Sequence, residues 1–474
     1  MKIYIWLFLT IIFLSGSNTM NAQDVTIVVP AQNIFNHTEY SKVQNVLYTN
    51  RTDWQIDIFI FPRDPTFTAR STVFRHRNSP DLYLPSDVLQ YRLASIGGRE
   101  PIFSFGDNWP GFKSFATSAQ KWYEPSLFGS HPRGNIDFTF KISGSQFASN
   151  KFQAGNYAME IIQNYDRGFF TPDSFNAVIS IPQAISWLSA NYTSYMQINS
   201  LDDFRYAPAQ IVADLGVFDI GNTVNFKLHA KAASSTIQFT SSKGVQGTRN
   251  IAILNLGGSN PKINTLPLSA SWKDFTAGNN LNVEIGNRNN FQLKLSLSQA
   301  DFKTYFYEAG TYKFQLNLNA KSTDNTTAAQ QNVDFTLNVL PLSEITIPSS
   351  GSAVNFEFNT VAHYQNGQTR IIPNQLRLSN NETYELYVKT DAAFFKRSGI
   401  QSDVPSSILQ VGVDGGSQQV ALSTTPKKIL TNGSPALDKN LNIKYTIPAN
   451  AAQALVAKEK STYSINVIYS FTAL

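Results

Sequence analysis

Val25-Thr26-Ile27-Val28-Val29-Pro30, Ile179-Ser180-Ile181-Pro182 and Ile345-Thr346-Ile347-Pro348 are three β-type runs, each closed by proline, spread along a chain of 474 residues. Proline lacks the backbone donor that a sheet ladder needs, so each run reads as a strand that stops where its proline stands. One Gly-Gly pair follows each run, at Gly97-Gly98, Gly257-Gly258 and Gly415-Gly416, and the sequence holds no other such pair. Working outward, Pro85-Ser86-Asp87-Val88-Leu89-Gln90 matches Pro405-Ser406-Ser407-Ile408-Leu409-Gln410 ahead of the glycines. Three copies of one β domain are the reading.

Each copy then ends in an alternating hairpin. The pairs are Ile136 to Ile142 with Asn156-Tyr157 to Tyr165, Phe291 to Leu297 with Thr311-Tyr312 to Leu318, and Leu441 to Ile447 with Thr462-Tyr463 to Phe471. Helical periodicity is confined to Ala449 to Lys460, and the rest alternates with period two between turn residues. Strands of that period bury one face, so two sheets must cover each other. The expectation is an all-β chain of three tandem antiparallel β-sandwich domains of about seven to nine strands each, arranged as a rod. Short proline-bearing linkers, Asp166 to Ser174 and Leu340 to Ser343, would keep that rod stiff. The expected boundaries are 1–22 for a signal peptide, then 23–166, 175–340 and 344–474.

Met1-Lys2, the apolar run Ile3 to Leu14 and the small polar stretch to Ala22 have the layout of a secretory signal. The run falls short of the ~20 residues a membrane-spanning helix needs. The expectation is therefore an exported protein of the cell surface, the medium or the periplasm, with no transmembrane helix. Cysteine is absent, which removes disulfides and thiolate metal sites. The formal charge is +5, but Lys and Arg are scattered, unlike the basic stripe of a nucleic-acid binder. No nucleic-acid partner is expected.

No nucleophile elbow, phosphate loop, zinc helix or calcium loop occurs, and His37, His76, His131, His229 and His363 stand apart without ligand spacing. Neither catalysis nor a cofactor is expected. The one local concentration of binding-type side chains lies between Gly98 and Gly134: Phe103, Phe105, Trp109, Phe112, Phe115, Trp122, Tyr123 and Phe128. Asp107-Asn108-Trp109-Pro110-Gly111 has the composition of a turn that would present Trp109 at its tip. Trp109, Phe112, Trp122 and Tyr123 are accordingly the candidate ligand-binding residues, since exposed rings stack on sugars or anchor protein interfaces. Core packing is the competing reading of the same rings.

The closing hairpins, Asn442-Ile443-Lys444-Tyr445-Thr446-Ile447-Pro448 with Ser461-Thr462-Tyr463-Ser464-Ile465-Asn466-Val467, and Glu308-Ala309-Gly310-Thr311-Tyr312-Lys313-Phe314, resemble the ends of spore-coat-U-like and related fimbrial β-sandwich domains. The resemblance implies a surface, fimbria-like structural role and self-association or donor-strand exchange, in which one subunit lends a strand to its neighbour. Asp24 to Val29 is a candidate donor, although first strand of copy one is its plainer role. The functional expectation is a secreted or cell-surface, non-catalytic structural or adhesive protein with a protein or glycan partner. The alternative is a carbohydrate-binding accessory protein of a polysaccharide-uptake system.

Overall fold

The computed structural model describes residues 23–49, 64–97, 108–124, 133–165, 170–189, 192–348 and 352–473. The signal segment, Asp53 to Ile60, Phe103, Phe105 and Phe128 lie outside the described residues. What is described is all-β, built as three successive two-sheet units with a few short helices.

In the first unit one sheet runs Gln23–Val28, Ser174–Ile181, Gly155–Asn164, Thr66–Ala69 and Gln120–Lys121 in spatial order. Its companion runs Tyr40–Thr49, Gly134–Ile142, Gln90–Ile96 and Lys113–Ser114. The second unit repeats this order: Tyr192–Ile198, Ala328–Val339, Gly310–Ser322, Phe226–Ala232 and Lys273–Asp274 face Ile185–Trp187, Gln210–Asn222, Arg288–Ser298, Asn255–Gly258 and Leu266–Pro267. Inward alternation fills the space between the sheets. In Gly134–Ile142, for example, Ile136, Phe138, Phe140 and Ile142 are all buried.

Two features differ from the sequence reading. Ser174–Ile181 does not open the second unit but closes the first, pairing with Gly155–Asn164 on one side and Gln23–Val28 on the other. The stretch from 166 to 174 is thus internal to the first unit, and the passage between units follows Pro182. Proline marks where a strand stops, whatever that strand's place in the domain. The second difference is direction. Gln23–Val28 runs parallel to Ser174–Ile181, and Tyr192–Ile198 runs parallel to Ala328–Val339, because opening and closing strands share one edge of the sandwich and point the same way. All other ladders among the described residues are antiparallel.

Each unit has its own apolar core, and direct contacts join neighbours. Between the first and second units, the Asn287 carboxamide accepts from the Phe152 amide at 2.9 Å and donates to the Phe152 carbonyl at 2.7 Å and the Asn222 carbonyl at 2.9 Å. Arg288 donates to the Phe35 carbonyl at 2.8 Å, and a side chain at Gly221 would strike the Phe35 ring. Between the second and third, the Arg205 guanidinium reaches Glu344 at 2.9 Å and Asp438 at 2.8 Å, and the Tyr307 hydroxyl donates to the Ala436 carbonyl at 2.9 Å.

The third unit keeps one sheet complete: Ser343–Thr346, Gly367–Asn380, Ala436–Pro448, Gln410–Val413 and Gln419–Ala421. The facing layer is reduced to Lys427–Gly433, Tyr384–Thr390 and Val467–Ala473, with Phe394–Arg397, Ile400–Pro405 and Tyr463–Ser464 forming a small sheet beside it. The helix expected over Ala449 to Lys460 is limited to Ala449–Gln453, and turns follow.

Candidate functional site

The aromatic platform expected in the first unit is not formed by the described residues. Trp122 and Tyr123 are each 1% exposed, and Trp122 sits among Phe67, Phe138 and Phe170. Trp109 is partly buried, edge-on to Tyr123 at 5.7 Å, with its indole N–H enclosed and without a hydrogen-bond partner among the described residues. Phe112 remains partly exposed, flanked by Arg92 at 4.8 Å and Lys141 at 4.2 Å from the ring centre. The reason is the count of inward positions. Short strands such as Gln120–Lys121 and Thr66–Ala69 supply little apolar volume, so large rings from the connecting segment fill the space between the sheets.

A different site emerges when the three units are compared strand by strand. In the second unit Tyr312, Phe314, Leu316 and Leu318 face Leu337, Phe335, Val333 and Gln331 of the closing strand. In the first, Tyr157, Met159 and Ile161 face Ile179, Ala177 and Phe175. The Gly-Thr-Tyr start of Gly310–Ser322 and the shared pairing to the next strand in (Ala232 with Leu316, Phe226 with Ser322; Thr390 with Val467, Tyr384 with Ala473) fix the equivalents as Tyr463, Ile465, Val467 and Tyr469. Among the described residues nothing pairs with the outer edge of Val467–Ala473.

Burial records the vacancy. Tyr157, Ile161, Tyr312 and Leu316 are buried, whereas Tyr463, Ile465, Val467, Tyr469 and Phe471 are all partly exposed. The far wall tells the same story. Val354, Phe356 and Phe358 alternate as a strand would and precede the helix Val361–Asn366, just as Gln23–Val28 precedes Ala31–Asn36 and Tyr192–Ile198 precedes Asp202–Arg205. Yet this segment joins no ladder. In the complete units the equivalent strand pairs with the closing strand, and among the described residues of the third unit no strand takes that place.

Between the two walls lies a cleft of about 720 Å³. Val354, Phe356, Phe395, Leu409, Ile447 and Val467 give it apolar patches, and Gln375, Tyr445, Tyr469, Glu357 and the stretch from Lys458 to Thr462 add polar ones. The Tyr445 and Tyr469 hydroxyls are 2.6 Å apart, and burial raises the pKa of both phenols, so the pair stays neutral and hydrogen-bonded at ordinary pH. The cleft joins an unpaired strand edge to an alternating apolar wall. It can supply backbone donors and acceptors on its edges and apolar pockets at alternate positions, which is how a sheet captures an extended peptide.

Asp24 to Val29 is not available as a free donor strand in this arrangement: Val25, Ile27 and Val29 are buried in the first unit's core. The sequence did carry a signal for the cleft. Phe175 to Ile181 and Val333 to Val339 are alternating runs that follow the penultimate strand in copies one and two and mark a closing strand. Among the described residues no three metal-ligating side chains converge, and no helix is long and apolar enough to cross a membrane.

No protein-family profile matches the chain, and no curated protein does. Among solved structures, the chain is similar to the adhesive subunit of CFA/I fimbria of enterotoxigenic Escherichia coli, at 8% identity over 68% of this chain and 99% of that one, with a TM-score of 0.26. It is similar also to a chain of the chaperone–tip adhesion subunit complex of archaic Csu pili from Acinetobacter baumannii, at 13% identity over 61% and 99%, TM-score 0.26. A third is the CupB6 tip adhesin of Pseudomonas aeruginosa, at 5% identity over 63% and 91%, TM-score 0.24. These are proteins of the class that the closing hairpins resemble. The fold assignment itself stands on the sheets described above.

Proposed function

We propose that this chain is an exported, non-catalytic structural or adhesive protein of the cell surface, and that its third unit is completed by a strand from a protein partner. The observation that supports this reading is the empty closing-strand position, bounded by an unpaired edge at Val467–Ala473 and by the unladdered Val354 to Phe358. Two complete copies in the same chain serve as the reference for what is missing. An incoming strand would hydrogen-bond to the edge and place alternate side chains in the cleft, gaining affinity from the first and selectivity from the second. The first two units, complete and joined through Asn287, would carry whatever surface contact the protein makes.

The test is to complete the third unit within the chain. Grafting a second copy of Thr323 to Val339, the second unit's hairpin turn and closing strand, after Ala473 should fill the cleft by the geometry that Gly310–Ser322 already uses. Expressed in its native cell, the unaltered protein is expected in high-mass surface material, and the grafted form is expected to be exported and folded but released as a monomer. Equal assembly of both forms would overturn the proposal.

A further inference from the structure

Resting on the reading that the empty position takes a peptide strand, we infer that the partner strand carries a hydrogen-bonding side chain opposite Tyr469, followed at alternate positions by apolar side chains opposite Val467, Ile465 and Tyr463, and that the polar residue sets its register.

The two complete units give the pattern twice. Opposite the position equivalent to Tyr469 stands Gln331 in the second unit, facing Leu318, and Asp173 in the first, whose carbonyl accepts from the Gln163 amide at 3.0 Å. From there inward the closing strands read Val333, Phe335, Leu337 and Phe175, Ala177, Ile179. A polar residue therefore stands at the same point against both penultimate strands, although the facing side chains, Leu318 and Gln163, differ. The third unit carries this further. There Tyr469 meets Tyr445, the two hydroxyls lying 2.6 Å apart, and Tyr445 is 2% exposed.

The hydroxyl pair has hydrogen-bonding capacity beyond the bond the two share and the one Tyr445 makes with Gln375, because each hydroxyl offers one donor and two acceptor sites. An apolar residue laid against them would seal that capacity away from water, whereas a carboxamide or carboxylate would use it. The consequence for register is direct. A slip of one residue turns every apolar side chain outward. A slip of two keeps the apolar face inward but sets the polar residue against Val467, in the apolar part of the cleft. Only one alignment satisfies both ends.

The experiment measures binding of labelled nine-residue peptides to the full chain by fluorescence anisotropy. The reference peptide has the sequence Gln331 to Val339, and its variants carry Leu in place of the first Gln, or Gln in place of the first Val. Replacing Gln by Leu is expected to weaken binding about 2- to 10-fold, the worth of one net hydrogen bond. The same comparison on the Tyr469→Phe protein, which keeps the ring, should show no preference. Gln in place of Val should weaken binding to both proteins. If Leu binds as well as Gln, or the Gln preference survives undiminished in Tyr469→Phe, the inference is overturned while strand capture stands. If no peptide of this pattern binds, strand capture itself is refuted and the inference with it.

Discussion

Filling the third unit should raise its melting temperature and leave the other two units where they are. The perturbation is the peptide with the sequence Gln331 to Val339, added at a free concentration about 100 times its dissociation constant, which stabilises the binding-competent fold by about 2.7 kcal/mol. The third unit spans Ser343 to Ala473 and has a core of its own. An unfolding entropy of about 2.1 cal/mol/K per residue gives about 0.27 kcal/mol per degree for such a unit, so the expected shift is about 10 °C. Scanning calorimetry is the assay. The third unit should also supply the lowest transition before peptide is added, because Tyr463, Val467 and Phe471 remain partly exposed where the equivalents Tyr312, Leu316 and Ala320 are buried. A control peptide with apolar and polar positions exchanged presents the wrong face and should shift nothing. The reasoning is refuted if the control works as well, if all transitions move together, or if none moves.

Three further outcomes test the parts that hold the site in place. The junction of the second and third units should loosen in acid. Hydrogen bonding from Arg205 holds the Glu344 carboxyl below its usual range, and Asp438 is held at about 2 because bonds from Arg205, Arg377 and Ser379 outweigh the opposing effect of burial. Depressed carboxyl values contribute stability above the unfolded value near 4 that is lost as pH falls toward 2, so small-angle scattering should show the change in that window and Arg205→Ala should show it already at neutral pH. Asn287→Ala should cost about 3 kcal/mol in thermal or denaturant unfolding, since it orphans both backbone groups of Phe152 and places alanine at a φ of 56°; Asn287→Gly, free of the backbone penalty, should cost less. Trp109→Ala should lower the first unit's transition by about 1–3 kcal/mol through lost packing on Tyr123, and an unchanged transition accompanied by lost polysaccharide binding would instead favour the glycan-binding alternative.

The threefold repeat was legible because its markers are local. The three Gly-Gly pairs fall on or just after Gln90–Ile96, Asn255–Gly258 and Gln410–Val413, which hold the same place in their sheets. Gly415, with φ of 73°, needs the freedom that glycine provides. The closing strands were misassigned because Ile179 to Pro182 carries the same alternation as the openings, and alternation says that a strand has one buried face, not which neighbour it pairs with. The parallel pairing of first and last strands is set by contacts more than 120 residues apart, beyond any local signal. The aromatic segment was read as a platform because Trp and Tyr suit cores and interfaces equally well, and only the sheets around Trp122 decide between them.

An open edge beside an apolar cleft is normally a hazard, since unpaired backbone groups recruit other chains without discrimination. The third unit carries partial protection. The outward positions along its edge are Ser464, Asn466, Ile468, Ser470 and Thr472, polar in four cases of five, so the edge itself is not greasy. The attraction is concentrated on the inward side, where only a strand of matching alternation reaches it. Phase is therefore the first filter, and the Tyr445–Tyr469 pair at one end is the second. A strand that passes the first filter alone can slide by two residues, while one that passes both is held in a single register. That is the difference between a sticky edge and a receptor, and it follows from leaving unfilled the one strand position that the two preceding units complete for themselves.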